Sequence, residues 1–182
     1  AILCDGAVRS GKTLCLGLSF ALWAMARFDR QQFALCGKTV ESVRRNLLSS
    51  VLPLLAELGF TWQEKVSRNR LTLRLGGREN TFFLFGGRDE SSAGLIQGIT
   101  LAGVLLDEVA LMPRSFVEQA CARCSVSGAK FWFSCNPEGP GHWFYREWVC
   151  RTRERNVFHL RFLMDDNPAL TEETRARYRR AL

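Results

Sequence analysis

Apolar residues in this chain alternate between short unbroken runs and longer stretches with helical spacing. Ala1-Ile2-Leu3-Cys4 opens the chain, and residues 1–5 read as a short buried strand. Residues 12–27 read as a helix with Leu14, Leu18, Leu22 and Met25 on one stripe. Phe33-Ala34-Leu35-Cys36 is a second buried strand. Val40 to Leu58 repeats Val43, Leu47, Val51, Leu54, Leu55 and Leu58 at helical intervals, with Pro53 placed to kink the helix. Leu71 to Leu75 alternates apolar and polar, Gly76-Gly77 turns the chain, and Thr81 to Phe85 returns, which is the pattern of a β-hairpin. Residues 86–98, rich in Gly and Ser, read as an exposed loop. Leu101 to Leu106, Lys130 to Cys135 and Val157 to Leu163 are three further strands. Arg114 to Cys124 is a helix with Pro113 in its first turn, and a last helix begins near Thr171. Strands alternating with helices imply an α/β fold: a mostly parallel central sheet flanked by helices on both faces, with the hairpin inserted into the series.

The length of 182 residues suits one domain with a sizeable core, spanning residues 1–182. Hydrophobic residues at 47% and charged residues at 24% are ordinary for a soluble globular protein, and no apolar run is long enough to span a bilayer. The first strand starts at residue 1 and the last basic helix has no terminating Gly or Pro, so the sequence is expected to be a fragment of a longer protein, without an upstream adenine-contacting segment. A net charge of +7 points to a polyanionic partner. The seven cysteines are odd in number and several lie in apolar runs, which suits free thiols in a reducing cytosol. Cys121-x-x-Cys124 has metal-ligand spacing but no second pair, and His142 and His159 stand apart from it, so two core-facing positions on a helix is the better reading.

Chemistry concentrates where strands end. Gly6-Ala7-Val8-Arg9-Ser10-Gly11-Lys12-Thr13 is a G-x-x-x-x-G-K-T phosphate loop in the strand–loop–helix context the motif requires. Its amides and the positive end of the following helix suit a nucleoside triphosphate. Lys12 is placed for the β- and γ-phosphates and the Thr13 hydroxyl for Mg²⁺. The run Leu101 to Leu106 ends in Asp107-Glu108, a Walker B arrangement: Asp107 suits Mg²⁺ through its water shell. Glu108, on the opposite side of an extended chain, suits polarisation of the attacking water. Phe131-Trp132-Phe133-Ser134-Cys135-Asn136-Pro137 brings Ser134 and Asn136 near a γ-phosphate or its water, the bland alternative being a turn started by Asn-Pro. Arg9 is an arginine-finger candidate, for its own nucleotide or a neighbouring subunit's.

The order GAVRSGKT, IQGITLAGVLLDEVALMP, FWFSCNPEGPGHWFY and LMDDNPAL resembles the large terminase subunit of tailed bacteriophages and prophages, with the PBSX-like group the nearest fit. The resemblance runs through nearly the whole chain. It implies the N-terminal ATPase domain, an ASCE-type, RecA-like P-loop NTPase that uses ATP and Mg²⁺ to drive double-stranded DNA into a procapsid. It also implies nucleotide binding by Gly6 to Thr13, magnesium at Asp107, catalysis by Glu108 and coupling by Ser134 and Asn136. A homo-oligomeric ring, a portal protein, a small terminase subunit and the cytoplasm of a bacterial host follow as expected partners and location. The carboxylate cluster of the family's nuclease domain is absent from these residues, so DNA cleavage is not expected from this chain alone.

DNA contacts in such a motor are electrostatic and blind to sequence. Arg44, Arg45, Arg68 and Arg70 are the leading candidates, with Arg74, Arg175, Arg177, Arg179 and Arg180 behind them, a solvated face being the alternative for many. Two rival functions remain open on the residues: a helicase-like or DNA-repair ATPase, and a nucleotide-gated DNA-binding module that does not hydrolyse.

Overall fold

The unbroken apolar runs become strands buried on both faces, as runs without polar alternation must. The computed structural model describes residues 1–7, 9–136 and 138–181, with the helical path alone for residues 179–181. Val8 and Pro137, named above for nucleotide binding and for the Asn-Pro turn, lie outside the described residues, as do the side chains of Arg179 and Arg180. Strands β1 (Ile2–Gly6), β2 (Gln32–Gly37), β3 (Thr61–Lys65), β4 (Arg70–Leu75), β5 (Arg78–Gly86), β6 (Gly103–Leu106), β7 (Lys130–Cys135) and β8 (Phe158–Phe162) form one sheet in the order β3-β4-β5-β2-β6-β7-β1-β8. Every neighbouring pair from β5 to β8 is parallel; β4 is antiparallel to both β3 and β5.

Helices cover both faces. On one face α1 (Lys12–Arg27) packs with α3 (Ser49–Glu57) over Phe33, Leu35, Phe82, Leu84 and Trp132. On the other, α4 (Arg114–Ala122) covers Val104, Leu106 and Phe133. Gly17 sets the approach on the first face, because a Cβ there would lie 2.4 Å from Leu47 Cδ1. Of the expected stripe, Met25 is buried, Leu14 and Leu18 are partly buried against the core, and Leu22 lies outside it. The buried positions of α1 are Lys12, Leu16, Gly17, Phe20, Ala21, Ala24 and Met25, and Leu22 is 38% exposed. This helix is apolar on most of its circumference, so spacing alone did not single out the packed side.

Three other features add to the expectation or change it. The expected hairpin is present as antiparallel β4 and β5; β5 also pairs parallel to β2, and β4 extends the sheet toward β3, a polar edge strand with no apolar alternation to reveal it. Residues 90–96 are a 3₁₀ helix rather than open loop; Asp89 caps it and Ser92 and Ile96 are buried beneath α4. The helix expected from Val40 to Leu58 starts as α2 (Val40–Ser42), widens into a π-helical turn at Val43–Leu48, and resumes as α3. Its irregularity thus precedes Pro53.

Candidate nucleotide site

The loops after β1, β6, β7 and β8 lie at neighbouring strand ends, because these strands are adjacent and parallel. The loop after β1 is wound tightly. Gly6 has φ +135° and a Cβ there would sit 1.9 Å from the Phe162 carbonyl oxygen, so only glycine fits, and Ala7 N donates to that same oxygen at 3.0 Å. Arg9 (φ 60°) and Gly11 (φ 85°) are left-handed, the winding that brings amides onto one concave side. Gly11 offers no side-chain cap to α1, and no acidic residue occupies the first turn. The amides at that helix start are left for an anion.

Lys12 is buried and its Nζ donates to Gly6 O (3.4 Å), Ala7 O (3.1 Å) and Asn136 Oδ1 (2.5 Å). Burial pushes its ammonium below the ordinary lysine range, with Asp107 pulling in the opposite direction. Thr13 Oγ1 donates to Asp107 Oδ1 at 2.9 Å. Ser134, fully buried, donates to the same carboxylate oxygen at 2.5 Å and accepts from Glu108 N at 3.0 Å. Ser134 therefore orients the two acidic residues. Glu108 departs from expectation. It is left-handed (φ 55°, ψ 49°), not extended, a strained conformation for a residue with a Cβ. Burial first, and then Asp107, push its carboxyl above the ordinary glutamate range, against the pull of Lys12 and Arg45.

These groups share a cavity of about 630 Å³, lined by Arg9 to Leu14, Asp107 and Glu108 on one side and by Arg45, Asn46, Ser50, Asn167 and Leu170 on the other. Its size is that of a small-molecule site. Ser10 Oγ is buried with no hydrogen-bond partner, an orphaned group of the kind a ligand oxygen satisfies. Thr13 Oγ1 and Asp107 Oδ1 are hard oxygen donors at the same wall, the donor chemistry of Mg²⁺.

A family model described as terminase large subunit, T4likevirus-type, N-terminal, matches residues 3–182. The chain belongs to this terminase family. Among solved structures, the large terminase of a thermophilic bacteriophage is 49% identical over 100% of this chain and 45% of that one, with a TM-score of 0.96. The complex of that phage terminase with ADP aligns at 47% identity, 100% and 45% coverage and TM-score 0.96; its complex with ATP-γ-S aligns at 47%, 100%, 44% and 0.93. This terminase chain thus spans a little under half the length of those relatives. The large terminase ATPase domain of Thermus phage P74-26, at 19% identity over 98% of this chain and 80% of that one with a TM-score of 0.69, shares the fold. No curated protein matches the chain.

Among the described residues, the arginines considered for DNA differ in their surroundings. Arg44 pairs with Glu64 at 2.7 Å and donates to Val66 O and Asn69 Oδ1, which ties the π-helical turn to the β3–β4 connection. Its neighbour Arg45 lines the cavity described above instead. Arg68 is exposed, Arg70 is half-buried, and Arg74 pairs with Glu79. Arg175 pairs with Glu172, and Arg177 lies over the Tyr178 ring. Cys121 and Cys124 pack against the α4-side core, and burial pushes the Cys124 thiol up to about 12. Arg45, named above for DNA, and Asn46, Ser50, Asn167 and Leu170 were not read from sequence as lining this cavity, since each reaches it through the fold rather than through a motif.

Proposed function

We propose that this chain binds ATP with Mg²⁺ and hydrolyses it, as the motor domain that powers translocation of double-stranded DNA into a procapsid. The convergence of Lys12, Thr13, Asp107 and Glu108 on one cavity carries this reading. Terminase membership favours a packaging motor over a helicase-like or repair ATPase. The thermophilic phage terminase's complexes with ADP and ATP-γ-S support nucleotide as the ligand.

Each residue has a role its contacts allow. The loop amides, Ser10 and Lys12 hold the phosphates, and Arg9 meets charge developing on the γ-phosphate from the wall of its own subunit's cavity. Thr13 and Asp107 would hold Mg²⁺, which supplies charge neutralisation between phosphates. Glu108 accepts the proton of the attacking water, its backbone fixed by Ser134. A raised carboxyl makes it a better base near neutral pH than an ordinary glutamate. The Lys12–Asn136 bond offers the coupling route: a phosphate oxygen that takes over the ammonium releases Asn136 and the chain that follows β7. Phosphate release by wild type against Glu108→Gln tests hydrolysis directly; two equally inert proteins would leave the non-hydrolysing gate as the reading.

A ring of subunits at a portal protein, a small terminase subunit and the cytoplasm of a bacterial host are the setting such a motor needs. Among the described residues no helix is long and apolar enough to cross a membrane. Arg68 is exposed, as a contact to DNA requires.

Arg45 gives a separable test. Its cation helps keep Glu108 ionised, alongside Lys12 and against Asp107. Removing it in Arg45→Ala raises the Glu108 pKa further. A base works only when deprotonated, so the acid limb of the ATPase pH profile should move to higher pH. The salt dependence of DNA binding should keep its slope. An unmoved acid limb with a shallower salt slope would return Arg45 to the DNA surface.

A further inference from the structure

We propose that Tyr178 and Asn167 are positioning residues for Arg9, holding the phosphate-loop guanidinium at the nucleotide cavity from the C-terminal side; this rests on the ATPase reading above. Arg9 carries a long, rotamer-rich side chain on a left-handed backbone (φ 60°), a combination that does not hold itself in place. Two contacts from α5 (Glu172–Ala181) and the segment before it supply what is missing. Asn167 Nδ2 donates to Arg9 O at 2.7 Å, which fixes the strained peptide. The Arg9 Cζ lies 4.9 Å from the centre of the Tyr178 ring, which fixes the side chain.

Asn167 is itself braced. Asn167 Oδ1 accepts from Ala169 N at 3.0 Å, and its carbonyl accepts from Arg175 Nη2 at 3.0 Å. The same stretch is tied to the loop at its other end, where Phe162 O accepts from Ala7 N. Arg9, Asn167 and Leu170 line the cavity that also holds Lys12, Asp107 and Glu108. A ring contact engages a guanidinium without consuming its five N–H donors, so it restrains Arg9 while leaving those donors for phosphate oxygens. Restraint before the reaction lowers the ordering cost in the transition state. Its loss should therefore reduce kcat more than it raises KM.

The test is steady-state ATP hydrolysis by the full chain as wild type, Tyr178→Ala, Tyr178→Phe, Asn167→Ala, Arg9→Ala and the double variant Arg9→Ala/Tyr178→Ala, with Glu108→Gln as the inactive reference. Tyr178→Ala should lower kcat about fivefold to tenfold with KM changed less than about twofold, a size set by an aromatic–cation contact. Tyr178→Phe keeps the ring and should restore turnover. Asn167→Ala should also lose kcat, and the double variant should be no slower than Arg9→Ala alone. A wild-type kcat in Tyr178→Ala, a Phe variant as impaired as Ala, or a double variant slowed by both factors multiplied would each overturn the proposal. A wild type as inert as a protein-free control would instead remove the ATPase reading itself, and this proposal with it.

Discussion

Glu108→Gln lowers ATP turnover by about 10²–10⁴-fold while leaving nucleotide affinity near that of the wild type, the range general-base loss covers. The amide keeps the size of the side chain and cannot take a proton from water. Glu108 N still donates to Ser134 Oγ, so the strained backbone at φ 55° keeps its support. The Thr13–Asp107 contact is untouched, which is why binding should survive. Phosphate release under saturating ATP measures the first effect and equilibrium titration the second. Turnover within a few-fold of wild type would place the base elsewhere.

Phe20→Ala costs about 3–5 kcal/mol of folding stability, as expected for emptying a buried aromatic position. Phe20 is 1% exposed and its ring centre lies 5.7 Å from Trp23, 5.8 Å from Phe33, 6.1 Å from Phe82 and 5.6 Å from Trp132. It joins α1 to β2, β5 and β7 at once, so no single element can close the cavity. For a chain of this size the thermal midpoint falls by roughly 6–20 °C. Since Lys12 begins the same helix, ATP turnover should fail at lower temperature without a change in mechanism at low temperature. A midpoint within about 2 °C of wild type would show that the aromatic cluster is not the main support of this face.

The site was legible where chemistry follows a strand. The apolar runs ending at Asp5, Leu106 and Cys135 become β1, β6 and β7, and the loop lysine, the acidic pair and Asn136 meet because those strands lie side by side. The α/β fold and its terminase affinity were legible for the same reason. The polar edge strand Thr61–Lys65 was not, since its residues neither alternate nor avoid charge. The 3₁₀ helix of residues 90–96 was hidden by a Gly- and Ser-rich composition that describes loops equally well. Arg44 and Arg45 illustrate a different limit. Adjacent in sequence and equal in charge, they are sent to different places by a π-helical turn, one to Glu64 and one to the cavity around Lys12. The Asn167 contact to Arg9 joins residues far apart in sequence, so no local spacing encodes it.

The cavity around Lys12 is the centre of this account, and calorimetric titration of ATP with Mg²⁺ into wild type and Lys12→Ala tests it most directly. Removing the ammonium takes away a charge-assisted contact to phosphate together with the bonds to Gly6 O, Ala7 O and Asn136 Oδ1. The expected result is saturable binding by the wild type and an affinity lower by at least about 10-fold in the variant, the loss of one such contact. Equal affinities in two folded proteins would contradict it, because the triphosphate would then lie somewhere other than against this loop.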